Sequence, residues 1–164
     1  MQPPAFGGLL SCGGWAAEAL KALPFLQELV LVGPDREAYE QTEEEIRNKV
    51  RFLSREDLQE MTEQEKKTFF EEISDNLPLY ISVDKDVLNP QSAVTNWDQG
   101  SLTLNELEHL LSIILKHEKI IGIDICGECS STLNIFEAEK GTQLDNTANQ
   151  ELLNLFLNCQ TSNL

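Results

Sequence analysis

Four short runs of β-branched and aliphatic residues punctuate the chain: Leu29–Val32, Val50–Leu53, Leu79–Val83 and Ile120–Ile125. A continuous apolar run of this length, bounded by polar or turn-forming residues, predicts a buried strand. Between the runs, apolar residues recur at helical spacing. The clearest case puts Leu104, Leu107, Leu111, Ile114 and Leu115 on one face, and Thr103 with Glu106 three residues later forms the capping box that starts such a helix. Helices are also predicted over Trp15–Leu23, Arg36–Arg47, Arg55–Ser74 and Asn149–Asn158, the last with Leu152, Leu155 and Phe156 on one face. Thr62 and Glu65 match a second capping box, which would divide Arg55–Ser74 into two helices. Strands alternating with helices predict crossover connections and an α/β fold: a three-layer parallel sheet with helices on both faces.

The 164 residues suit one domain, and a chain of this size can bury roughly two thirds of the surface it exposes when unfolded. With 41% hydrophobic and 24% charged residues the composition is that of a soluble globular protein, and no apolar run approaches the ~20 residues that span a bilayer. The net charge of −16 would be repelled by phosphate backbones and anionic headgroups, so neither nucleic acid nor membrane is expected as a partner. Leu9-Leu10-Ser11-Cys12-Gly13 has the look of a lipoprotein cleavage box. It lacks a basic lead-in, and Pro3, Pro4, Gly7 and Gly8 interrupt the apolar stretch such a signal needs. The four cysteines, with no export signal, point to a reducing cytoplasm. Cys126 and Cys129 have CxxC spacing, but there is no second close pair to complete a zinc site, and the motif ends an apolar run instead of opening a helix. Buried or incidental thiols are the expectation, with a dithiol role as the alternative.

The segment Ile81-Ser82-Val83-Asp84-Lys85-Asp86-Val87-Leu88-Asn89-Pro90 carries the chemistry. Alternation along a strand puts Asp84 and Asp86 on one face and Lys85 on the other, so two carboxylates emerge together where the strand runs out. The ends of parallel strands form the crevice in which open α/β sheets bind ligands. Neighbouring carboxylates repel unless a cation or a shared proton offsets them, and a divalent ion is the usual solution. An EF-hand is excluded: counting from Asp84, Asn89 stands where Gly is required and Thr95 where Glu is required.

Ser82-x-Asp84-x-Asp86-x-Leu88-x-Pro90, followed by Gly100, Leu102 and Thr103 before a helix bearing Glu106, resembles the signature of the arginase-like ureohydrolases. That family contains arginases, agmatinases and formiminoglutamases. Gly122-Ile123-Asp124-Ile125 is similar to a later family strand that precedes an acidic substrate ligand, and Ser11-Cys12-Gly13-Gly14-Trp15 looks like a divergent bacterial branch. The resemblance implies a manganese-dependent hydrolase of linear, non-peptide C–N bonds acting on guanidino, amidino or formimino substrates. In the family, two Mn²⁺ ions held by Asp and His lower the pKa of a bridging water and give a hydroxide nucleophile. Asp84 and Asp86 match family ligands. Glu128 takes the place of the substrate acid, displaced by one residue because Gly127 intervenes. The His and the Asp-x-His-x-Asp motif that supply the other ligands have no counterpart here, and His109 and His117 lie on or near a predicted helix as surface residues. Asn89 stands where the family has Asp, and the loop Ala93–Gly100 lacks the usual Pro and Gly positions.

Residues 1–164 are therefore expected to form the C-terminal half of an arginase-like domain, incomplete and lacking its N-terminal strands and metal ligands. Such a chain should hold at most one Mn²⁺ weakly, show no turnover alone, and either self-associate or pair with a complementing N-terminal segment. Two readings stay open: a piece of a C–N hydrolase, or a non-catalytic α/β binding module that keeps a weak cation site.

Overall fold

The computed structural model describes residues 14–73, 77–116, 119–129 and 135–161. The chain divides into two units, Met1–Glu60 and Met61–Leu164. In the first, helix α1 (Trp15–Ala22) precedes strand β1 (Leu29–Val32), helices α2 (Arg36–Glu40) and α3 (Glu44–Arg47), strand β2 (Val50–Leu53) and helix α4 (Arg55–Glu60). β1 and β2 pair in parallel, Leu29 opposite Val50 through Val32 opposite Leu53, and the two short helices make the crossover that parallel strands require. The single helix expected over Arg36–Arg47 breaks into these two, because Glu43 adopts an extended ψ of 136° before α3. Tyr39 stacks on Phe52, ring centroids 3.9 Å apart, and so packs the crossover onto β2. Ser54 starts α4 by taking the Asp57 amide on its hydroxyl, while its own amide and hydroxyl donate to Asp57 Oδ2.

The second unit holds helix α5 (Glu63–Glu71), strand β3 (Leu79–Asp84), helix α6 (Leu104–Ile114), strand β4 (Ile120–Cys126) and helix α7 (Ile135–Thr161). Both predicted capping boxes are formed, Thr62 with Glu65 at α5 and Thr103 with Glu106 at α6, so Arg55–Ser74 does divide at Thr62. β3 and β4 pair in parallel around α6. Along β3 the inward residues Ile81 and Val83 are buried and Tyr80, Ser82 and Asp84 are exposed. The inward side packs into one core with Leu107 and Leu111 of α6 and Ala148, Leu152 and Phe156 of α7. Parallel strands and helices thus form the α/β arrangement anticipated from the alternation. The strands pair in twos among the described residues, so most strand residues are half-buried where full burial was expected: a strand with one neighbour keeps an open edge. No helix of the described residues is long and apolar enough to cross a membrane.

Candidate metal centre

The outward face of β3 and the adjoining end of β4 build the site. Their register sets Ser82 beside Asp124 and Asp84 beside Cys126. Ser82 Oγ donates to Asp124 Oδ1 at 2.9 Å. The Tyr80 hydroxyl bonds the same carboxylate, and that bond, with the carboxylate's charge, raises the tyrosine's pKa above its usual value. Gly122 makes room for this ring, since a Cβ there would lie 2.6 Å from Tyr80 Cε2.

Alternation alone would continue the strand through Asp86. Instead β3 stops at Asp84, whose carboxylate caps a 3-10 turn over Lys85–Val87 by accepting the Asp86 amide on Oδ1 at 3.1 Å. The two acids stay adjacent, but in different environments: Asp84 is exposed and Asp86 is part-buried. Burial pushes the Asp86 carboxyl above its usual pKa and the charge of Asp84 adds to this, against a hydrogen bond with the Thr95 side chain that pulls the other way. Asp86 Oδ1 is buried and has no hydrogen-bond partner among the described residues. An acceptor left in that state costs about 1–3 kcal/mol, which a bound cation would offset. The signature glycine Gly100 closes the turn from behind: its amide donates to the Asp86 carbonyl at 2.6 Å, and any Cβ on it would overlap the Val87 carbonyl. Asn89 accepts the Gln91 amide at 3.2 Å and shapes the loop that follows.

At the end of β4 the chain turns sharply. Gly127 has φ +88°, and a Cβ would sit 2.7 Å from Asp84 Oδ1 and 2.9 Å from the Lys85 amide, so only glycine passes. The residue after it, Glu128, accepts from Lys85 Nζ at 2.6 Å and from Asn149 Nδ2 at 2.9 Å, both on Oε1. Burial pushes its carboxyl up, but these hydrogen bonds and the lysine's charge outweigh that and hold it below the usual carboxylate value. Lys85 is 0% exposed and has a second acid, Asp145 of α7, 3.9 Å from Nζ. Asp145 in turn accepts the Val94 amide at 3.0 Å and the Cys129 amide at 3.3 Å. Asp145 and Asn149 fall outside the motifs of the sequence. A signal existed for Asp145: it precedes Ala148, Leu152 and Phe156 at helical spacing, so an acid occupies a core-facing position and needs an internal partner.

The Cys126 thiol is pushed up to about 11 by desolvation and by the charges of Asp84, Asp124 and Asp86, which keeps it protonated near neutrality and unsuited to redox work. Cys126, Cys129 and Cys159 are not in disulfides. Exposed His109 meets Glu63 of α5 at 3.1 Å. His117, Cys12 and the Ser11-Cys12-Gly13 opening lie outside the described residues. Carboxylate oxygens suit hard divalent ions such as Mn²⁺, and the orphaned Asp86 oxygen beside Asp84 fits one such ion. Among the described residues no group of three or more His, Cys, Asp or Glu side chains is disposed to hold a metal, so the fit is partial.

The sequence model of the Arginase family matches residues 6–141. Among solved structures, the chain is similar to Helicobacter pylori arginase, at 20% identity and a TM-score of 0.55, over 80% of this chain and 43% of that one. It is likewise similar to the agmatine ureohydrolase of Thermoplasma volcanium, at 20% identity and a TM-score of 0.57, over 81% of this chain and 42% of that one. The chain therefore spans less than half the length of either relative. No curated protein matches it significantly. The likeness to these structures is one of fold, and the family match over most of its length places the chain in the arginase family.

Proposed function

We propose that this chain is part of a metal-dependent hydrolase of linear C–N bonds, and that Asp84 and Asp86 are its contribution to the metal centre. One observation carries the reading: in a chain of the arginase family, two carboxylates meet at the end of a parallel strand, and one has a buried oxygen with no hydrogen-bond partner. Asp84 and Asp86 would hold a single Mn²⁺ weakly, and a complementing segment would bring the rest of a two-ion centre. When bound, such ions stabilise the charge that develops on a guanidino, amidino or formimino group and lower the barrier to attack by water. Glu128 would present its second oxygen to a cationic substrate, since Oε1 is committed to Lys85 and Asn149. That commitment is also what favours the second reading, a non-catalytic binding module: an internal lysine already neutralises the acid that resemblance assigns to the substrate.

The test is to add agmatine, arginine or formiminoglutamate to the Mn²⁺-loaded chain. Relaxation of the ligand protons by the ion is followed while urea and amine release are assayed in parallel. The proposal expects enhanced relaxation that disappears in Asp84→Asn, and no turnover by the 164 residues alone. Enhancement that survives the loss of Asp84 would overturn the assignment. Turnover at an ordinary enzymatic rate would mean that other residues of this chain complete the centre.

A further inference from the structure

A lysine with 0% exposure stands between the two candidate ligands in sequence. Burying an ammonium is costly unless it is paired, so its partners define what it is there to hold. The two partners and the lysine join three places: Glu128 follows β4, Asp145 lies on α7, and Lys85 itself opens the turn after β3. Asp145 extends the network to the backbone of Val94 and Cys129. The residue after Val94 is Thr95, whose side chain bonds Asp86. A connected path therefore runs from Lys85 through Asp145 and Val94 to Thr95 and back to the carboxylate next to Lys85 in sequence. Gly127, pressed against Asp84 Oδ1 and the Lys85 amide, closes the arrangement on the other side.

We propose that Lys85 is a positioning residue for the carboxylate pair: anchored by Glu128 and Asp145, it fixes the turn and the Val94–Thr95 segment so that Asp84 and Asp86 are held ready for a cation. This rests on the metal reading above. It makes a prediction opposite in sign to the simple electrostatic one. Removing a positive charge near two carboxylates should, by charge alone, tighten cation binding. Loss of positioning should weaken it, and partners behind a metal ligand typically contribute about 10–100-fold in affinity.

The experiment titrates the chain with Mn²⁺, reading free ion by its paramagnetic resonance signal, and measures amide hydrogen exchange at Val94 and Cys129. Lys85→Met should bind Mn²⁺ about tenfold more weakly than wild type, with both amides exchanging faster while those of β3 and β4 keep their protection. If Lys85→Met does not fold, Lys85→Met/Asp145→Asn removes both charges and leaves no ammonium unpaired. The net charge is then unchanged, so charge alone predicts equal affinity and positioning predicts weaker binding. Unchanged or tighter Mn²⁺ binding by a folded variant overturns the proposal. Should wild type bind no Mn²⁺, the metal reading fails by itself, and the exchange data decide the role of Lys85: unchanged exchange at Val94 and Cys129 overturns it.

Discussion

Replacing Asp145 by alanine removes an acid that is only 2% exposed from the buried side of α7. Its two oxygens accept the Val94 amide at 3.0 Å and the Cys129 amide at 3.3 Å, and Oδ1 lies 3.9 Å from Lys85 Nζ. Depriving a buried amide of its acceptor costs about 1–3 kcal/mol. Lys85 keeps Glu128 at 2.6 Å, so its charge is not left uncompensated. The loss is therefore mainly that of the two amide acceptors, and a destabilisation of about 2–4 kcal/mol is expected. That is a large share of the ~5–15 kcal/mol by which whole domains are stable. Urea unfolding followed by far-ultraviolet circular dichroism reports on the helices of this unit. With a slope of about 2 kcal/mol per molar, the midpoint should fall by about 1–2 M. Asp145→Asn keeps one acceptor and should lose less. A midpoint shift worth under about 1 kcal/mol for Asp145→Ala, at unchanged slope, would refute the network.

Leu152→Ala, at a side chain with 0% exposure in the β3–α6–α7 core, should cost about 2–5 kcal/mol in the same assay, and a loss below that range would mean the site collapses around the cavity. Asp57 should govern part of the acid sensitivity of the first unit. The Ser54 hydroxyl and amide, and then Arg36, hold its carboxyl below the usual 3.8. A depressed folded pKa gives stability that is present above the unfolded value and lost as pH falls through the folded one. The gap in stability between wild type and Asp57→Asn should therefore be full near neutrality and close below pH 3.8, and a gap that persists in acid would contradict this. Gly127→Ala forces a side chain into a φ of +88° against Asp84. It should cost more than the ~1–2 kcal/mol of left-handed strain alone, because the new Cβ also overlaps the Lys85 amide, and weaken Mn²⁺ binding; wild-type affinity in this variant would show that the turn does not shape the site.

Local pattern carried much of the fold. The β-branched runs marked all four strands within a residue, and Thr62-Glu65 and Thr103-Glu106 marked two helix starts, because capping chemistry is settled within one turn. α7 was legible only from Asn149 onward. Its first half carries Gly141, Thr142, Asp145 and Thr147, poor helix formers that hide the period, and its buried acid reads as a break in an apolar face. Asp84 and Asp86 were legible from their motif, but their unequal burial was not. That inequality arises because β3 ends at Asp84 in a 3-10 turn, which alternation does not foresee. The pairing of Lys85 with Glu128 joins residues 43 apart in sequence, and no local signal reports it.

The most direct test of the account is the number of Mn²⁺ ions retained by the chain in equilibrium dialysis, compared with Asp84→Asn and Asp86→Asn. Both variants keep the size of the side chain and remove its charge. The account predicts one weakly held ion for wild type and none for either variant, with the circular dichroism of all three unchanged. No retained ion in wild type, or equal retention in all three, would contradict it.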